Sequence, residues 1–412
     1  MNDKQDQLNI LAPRQMKPKF DYQHREAQRA AGRPLSRRQA LGLGGMALVA
    51  AACSSTTTTS AGSASSSTGS ANALTGKPLE NHLEIYNWSE YDDPSTFTKF
   101  MKLPAEAKAG MTVHETFYSS NDELLAKLHA GGTSYDIIVP SQNAVAELIQ
   151  ENGLLRLDKA LLPNLKYLDP SFLTPSYDPT GDYHIIKDFG ITMFFFNNKI
   201  VTEPLSTMHD FYMALPKYVS HGRTNLLDGA EEVVPLALMS LGLNPNTTSQ
   251  SDFSTVKSFL LSVRPGVTTI DSSAYINDAI AGKIILSQGW NGDVRRIVQG
   301  RAKQGDITAV IPHEASEIWA DNWCIPATAP HPVAAHAWIN WLLTPSTAVT
   351  EMNYHNYKIP MPSALAQLSP DLRNDPMFNV PHSYTDNYHY ILNVSPAVVE
   401  ARTQIYSEFK AA

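Results

Sequence analysis

The sequence predicts an α/β fold. Short β-rich runs alternate with helical segments from about residue 80 onward, and one of those runs is apolar throughout and closed by a proline. Several residues of unusual chemistry also fall just past strand ends. In chain order, residues 83–87 read as a strand, 94–102 as a helix and 113–118 as a second strand. Ser120-Asn121-Asp122-Glu123 offers capping chemistry to a helix with apolar residues at Leu124, Leu125 and Leu128, which Gly131-Gly132 can stop. Asp136-Ile137-Ile138-Val139-Pro140 has the character of a strand buried on both faces in a parallel sheet. The alternation continues with a strand at 191–196, a helix at 231–241, a strand at 284–288 and a helix at 293–302. A strongly apolar helix at 333–343 and an amphipathic one at 397–409 complete it. No internal repeat is visible. In α/β sheets ligands sit beyond the carboxyl ends of strands, where Trp88, Ser141 and Trp290 fall.

Residues 1–52 read as an address. Ser36-Arg37-Arg38-Gln39-Ala40-Leu41 carries a twin-arginine signature. The apolar stretch 41–52 falls short of the roughly twenty residues a bilayer-spanning helix needs, so it reads as the apolar region of a secretory signal. Ala50-Ala51-Ala52-Cys53 resembles a lipoprotein cleavage box, with Ala50 where the pattern prefers Leu. A diacylglycerol on Cys53 would anchor the mature chain, each buried methylene contributing about 0.8 kcal/mol; simple cleavage and release is the alternative. Residues 53–79 then form a tether, Ser/Thr/Ala/Gly-rich from 54 to 73. The expected location is periplasmic or cell-surface, membrane-anchored through Cys53 and reached by the twin-arginine route.

The net charge of the whole chain is −8. Because residues 1–52 hold nine Lys/Arg and four Asp/Glu, the remainder is more acidic still. Nucleic acid is excluded as a partner on that balance, while an acidic body weakly favours a cationic ligand. Besides Cys53 the chain has only Cys324, so with Cys53 lipidated no intrachain disulfide is available and a conventional core must hold the fold. The thirteen histidines show neither His-x-x-x-His nor Cys/His clustering, and no metal or cofactor is expected. About 330 residues remain beyond the tether, ample for two lobes.

Three of the six tryptophans are followed within three residues by an acid: Trp88-Ser89-Glu90-Tyr91, Trp290-Asn291-Gly292-Asp293 and Trp319-Ala320-Asp321. An alkylammonium needs a carboxylate at its charged ends and an aromatic surface along its stem, and an indole face attracts the cation as well. In an extended chain residues two apart share a face, which would let Trp88 and Glu90, or Trp319 and Asp321, line one wall. Each pair alone is better explained by a core tryptophan beside a solvated acid; together they point to a small organic cation.

In order and at compatible spacing, Tyr86-Asn87-Trp88-Ser89-Glu90-Tyr91, Tyr135 to Ser141, Asp228-Gly229-Ala230-Glu231-Glu232-Val233, Tyr275-Ile276-Asn277-Asp278, Gly289 to Val294 and Trp319-Ala320-Asp321 resemble the polyamine-binding proteins of bacterial ABC importers. The resemblance runs from about residue 80 to the C-terminus. It implies a two-lobed periplasmic-binding-protein fold of type II, with lobe I at 80–187 plus 309–345, lobe II at 188–308 plus 346–412, and the ligand in the cleft between them. It places Trp88, Ser89, Glu90, Tyr91 and Ser141 on the first side and Glu232, Trp290 and Asp293 on the second. Trp319 and Asp321 come from the later segment, and Tyr357 resembles the family's late cleft tyrosine.

On this reading Asp293 and Asp321 grip one ammonium, Glu90 and Glu232 lie near the other, and the three indoles sandwich the stem. The protein would be a monomeric receptor, not an enzyme, that delivers a polyamine to permease subunits. Gly229 stands where spermidine-preferring relatives carry an aspartate, which favours putrescine slightly over spermidine. Gln142-Asn143-Ala144 replaces aromatics, thinning one wall. Lys187 would repel a cation if it faced the cleft, or else pair with Asp188 or a cleft acid. Two alternatives stand beside this reading: the same fold taking another organic cation, a sugar or a metal chelate, and a hydrolase using paired acids such as Asp293 and Asp321.

Overall fold

The structure, a computed structural model, describes residues 74–131, 134–381, 387–392 and 395–412. The expected signal segment, Cys53 and the tract 54–73 lie outside the described residues, as does Gly132. Strands β1 (His82–Trp88), β2 (Thr112–Tyr118) and β3 (Ile137–Ile138) form a parallel sheet in the order β2-β1-β3. The remaining strands are β4 (Ile185–Asn197), β5 (Arg223–Leu226), β6 (Thr269–Ile270), β7 (Ile284–Trp290), β8 (Ile307–Val310) and β9 (Ile318–Trp323). They make a second sheet ordered β6-β5-β7-β4-β8, with β9 pairing β4 as well.

The long strand β4 joins the two halves. Residues 192–197 pair antiparallel with β7 and β8, whereas residues 185–191 pair antiparallel with β9. Just past β9, Cys324 bridges Ile138 of the first sheet. Two antiparallel strands thus pass between the sheets, and the cleft opens beside them. The sequence reading began β4 only at 191 because Lys187 and Asp188 interrupt its apolar run. The observed strand starts at Ile185, and all thirteen of its residues are buried. Strand β8 straddles the expected lobe boundary at 308/309 and pairs within the second sheet.

The helices follow local chemistry. Ser120 accepts from the Glu123 amide and caps Asn121–Ala130; Asp93 accepts from Ser95 and, with Pro94, opens Pro94–Met101. The helices Ala230–Ser240, Asn291–Gly300, Pro332–Leu342 and Pro396–Ala411 lie within a residue or two of their expected limits. Among the described residues no helix is long and apolar enough to cross a membrane. Apolar side chains from both sheets belong to one continuous core, and a smaller group around Tyr275, Ile284 and Val294 lies beneath β7.

Candidate functional site

Strand ends build the site. Trp88 closes β1 and is fixed by its indole Nε1, which donates to the Val139 carbonyl at 2.9 Å. Tyr118, opposite it on β2, donates to the same carbonyl at 2.5 Å. Ser141 follows β3. It sits at the N-cap of the next helix, yet its hydroxyl does not cap; it donates to Asp321 Oδ1 at 2.6 Å. Trp290 ends β7, and Asp293 lies one turn into the following helix, so the two share a face. On β9, Trp319 and Asp321 alternate onto one face, as the two-residue spacing predicts.

These residues meet in a cleft with about 510 Å³ of space, lined by Trp88, Ser89, Tyr91, Ser141, Glu232, Trp290, Asp293, Trp319, Asp321 and Tyr357. The rings of Trp88 and Trp290 approach edge to face from opposite sides at 5.6 Å, and Trp319 meets Tyr357 at 5.0 Å. Glycines permit two of the approaches. A Cβ on Gly190 would lie 2.5 Å from Trp319, and one on Gly292 would lie 2.6 Å from Tyr357.

Glu90 is the expected site residue that the cleft does not include. The strand ends at Trp88, and Glu90 turns into the left-handed region at φ 56°, which breaks the alternation that would have put it beside Trp88. Its carboxylate pairs with Arg296 at 2.9 Å and accepts from Asn277. Lys187 does not line the cleft either. It is buried, 3.0 Å from Asp92 and 3.3 Å from Asp188, with its ammonium 3.8 Å from the centre of the Tyr91 ring. Of the two roles open to it, ion pairing is the one observed.

Four lining residues were missed: Asn121, Asn143, Glu231 and Glu317. Glu317 stands two residues before Trp319, on the face that Trp319 and Asp321 share, so the same alternation would have found it. Glu231 lies in the first turn of the helix Ala230–Ser240, where the dipole favours an acid whatever else it does. Asn143, from the segment expected to thin one wall, donates to Glu231 Oε2 at 2.6 Å.

The electrostatics are one-sided. Five carboxyls line the cleft, and no lining residue is a lysine, arginine or histidine. Burial, reinforced by the Asp188 carboxyl, pushes Asp321 up to about 7 despite hydrogen bonds from Ser141 and Tyr91. Burial also lifts Glu232 to about 7 and, helped by Asp122, Glu231 to about 8. Glu317 is driven well above the carboxylate range by burial and by Glu232 and Glu231. Asp293 is raised by burial, against the pull of Arg296 and the hydroxyls of Tyr275 and Tyr357. Two polar atoms here have no partner among the described residues, Glu232 Oε2 and Trp319 Nε1. The Tyr91 hydroxyl lies between Asp188 and Asp321, 2.7 Å from the latter, and its one hydrogen can serve only one of them.

A metal-like donor group does occur outside the cleft. Ligand atoms of His129, Glu147 and Glu151 lie within 4.8 Å of one another.

Two lobes joined by crossing strands, with a deep cleft between them, define a solute-binding protein. The family of bacterial extracellular solute-binding proteins matches residues 97–380. The chain is 31% identical over 331 residues to spermidine/putrescine-binding periplasmic protein 1 of Haemophilus influenzae, covering 80% of this chain and 88% of that one. It is 29% identical over 344 residues to a putrescine-binding periplasmic protein of Escherichia coli, covering 80% and 91%. Among solved structures, a putative spermidine/putrescine ABC transporter protein from Listeria monocytogenes superposes with a TM-score of 0.74 at 30% identity, covering 80% of this chain and 99% of that one. The chain belongs to the polyamine-binding branch of the extracellular solute-binding proteins.

Proposed function

We propose that this protein captures a short polyamine outside the cytoplasm and presents it to the permease of an ABC importer. One observation carries the reading: four buried carboxyls, the half-buried Glu231 and three indoles converge on a single cleft whose lining brings no positive charge of its own. Buried charge is stable only when paired, and a flexible chain with ammonium ends supplies both the missing cations and a stem for the indoles. The relatives named for spermidine and putrescine support the same class of ligand.

In this mechanism Asp321, oriented by Ser141 and Tyr91, and Asp293, oriented by Tyr275 and Tyr357, receive ammonium groups. Trp88, Trp290 and Trp319 cover the methylenes between them. The two sides are tied by Asn143 to Glu231, by Ser89 to the Ser273 carbonyl and by the Ala230 amide to Asp122, and this closed form is what the permease would recognise. Glu90 contributes through Arg296, as a strut across the cleft mouth and not as a ligand contact. The protein acts as a carrier and performs no chemistry on its cargo. The missing carboxylate at Gly229 favours putrescine over spermidine; Glu231 and Glu317 weigh the other way. A lipid on Cys53 would hold the receptor at the membrane after twin-arginine export, and fatty-acid labelling of the mature protein checks that.

Calorimetric titration with putrescine, cadaverine, agmatine and spermidine tests the central claim. Saturable heat with at least one of them is expected. Silence with all four at millimolar concentration, alongside a thermal shift from a sugar or chelate, would transfer the site to the rival ligand class.

A further inference from the structure

Glu317 belongs to neither focus described above. It lies at the start of β9, its backbone carbonyl accepts from the Thr192 amide at 3.2 Å, and its side chain accepts from the Thr192 hydroxyl at 3.3 Å. It is buried and lines the cleft. Glu232 lines the same cleft, and its charge helps to hold the Glu317 carboxyl up. Glu232 is itself held by the Trp290 indole at 3.1 Å through Oε1 only, while Oε2 is buried and receives no donor. Two buried acids that share one cleft are stabilised by a proton or a cation between them.

The neighbours do not supply that cation. Glu231, on the same helix as Glu232, and Asp321, on the same strand face as Glu317, add negative charge. From the C-terminal helix, the charge of Arg402 reaches Glu231 and Glu317. Its Nη groups donate to the carbonyls of Pro245 and Leu392 and to Asn246, its Nε has no partner among the described residues, and it forms no ion pair with either acid. A diamine has two ammonium groups. With one at Asp293 and one at Asp321, the Glu232–Glu317 pair still needs its proton.

We propose that Glu317, paired with Glu232, is a specificity-determining residue that forms a third cation locus in the cleft and selects ligands carrying a third ammonium over diamines. This rests on the polyamine reading above and reverses the preference drawn from Gly229. The third ammonium enters between the two carboxyls and displaces the proton they share, which leaves to solvent; no covalent bond changes.

Titration calorimetry of the protein and of Glu317→Gln with spermidine and putrescine tests it. The protein should bind spermidine at least about tenfold more tightly than putrescine, the scale of one buried charge pair. Glu317→Gln keeps the Thr192 contact and removes the anion, so it should erase that preference by weakening spermidine binding while putrescine changes by no more than about threefold. A second measurement needs no variant. In buffers of different ionisation enthalpy, spermidine binding to the unaltered protein should release about one more proton than putrescine binding. Equal weakening of both ligands in Glu317→Gln, a diamine preference in the unaltered protein, or equal proton release would each overturn the assignment of Glu317 and leave the polyamine receptor standing. If neither ligand binds the unaltered protein, the receptor reading itself falls, and the role of Glu317 with it.

Discussion

Two groups of acids, buried except for the half-buried Glu115 and Glu231, lie on either side of Tyr91, and they differ in one respect. Behind the ring, Asp92, Asp188, Glu115 and Glu351 cluster around Lys187. In front of it, the five cleft carboxyls have no lysine, arginine or histidine among the lining residues. Burial alone would depress Lys187, yet Asp92, Asp188 and Glu351 outweigh it and raise the ammonium above its ordinary value. Even so, one cation does not neutralise four acids: Glu115 and Glu351 are held up to about 8, mainly by burial and by Asp92, so they retain protons. The cluster is what a completed version of the cleft looks like, with an internal alkylammonium over an aromatic ring at 3.8 Å and carboxylates at 3.0 and 3.3 Å. The cleft carries the same acids and aromatics and leaves the cation to be brought from outside.

The sharpest way to break that comparison is to delete one charge on each side. Lys187→Met removes the only cation of the cluster and leaves Asp92 and Asp188 buried without a countercharge. It should destabilise the ligand-free protein by about 3–5 kcal/mol, the cost of breaking a buried pair, read from denaturant unfolding. Asp293→Asn on the cleft side removes an acid that lacks its partner until ligand arrives, so ligand-free stability should hold or rise. Polyamine affinity should instead fall by about 2–5 kcal/mol, about thirtyfold or more at tenfold per 1.4 kcal/mol. A Lys187→Met protein as stable as its parent would show that the cluster does not depend on its lysine. An Asp293→Asn protein with unaltered affinity would put the ammonium elsewhere.

The sequence exposed these two groups unequally. Strand alternation brought Trp319 and Asp321 to one wall because β9 is regular there, and it extended to Glu317 without a tryptophan at that position to draw attention. The same rule misplaced Glu90, because the chain leaves β1 at Trp88 and enters a left-handed turn that no two-residue spacing encodes. The cluster was hardly legible at all. Lys187 and Asp188 are adjacent, but Asp92, Glu115 and Glu351 reach them from the turn after β1, from β2 and from a late helix, and only the tertiary fold decides that the ammonium turns away from the cleft. Local periodicity specified the elements it named to within a few residues, except at β4, whose buried ion pair disguises its first residues, and it left β5, β6, β8 and β9 and the helices Met208–Tyr218, Gln250–Val263 and Pro345–His355 unnamed.

The pH dependence separates the two groups by a smaller effect. In the unfolded chain Asp and Glu titrate near about 4. In the ligand-free fold Glu232 and Asp321 are raised to about 7 and Glu231 to about 8, and burial with its acidic neighbours holds Glu317 well above its ordinary range as well. Between those limits the folded state binds more protons than the unfolded, so stability falls as pH rises through this window. Glu115 and Glu351 in the cluster act in the same direction, and His355, held far below its ordinary value by burial and by Lys187 and Arg296, acts in the opposite one. None of these three lines the cleft, so their contributions cancel when ligand-free and ligand-saturated proteins are compared at each pH. An alkylammonium stays charged across the window, and it binds the ionised cleft. The rise in melting temperature on saturation with a polyamine should therefore grow from pH 5 to pH 8, by several degrees, while the ligand-free melting temperature declines. A rise that stays constant with pH would mean that the cation is held by groups other than the raised carboxyls of the cleft, and the distinction between the filled cluster and the waiting cleft would be lost.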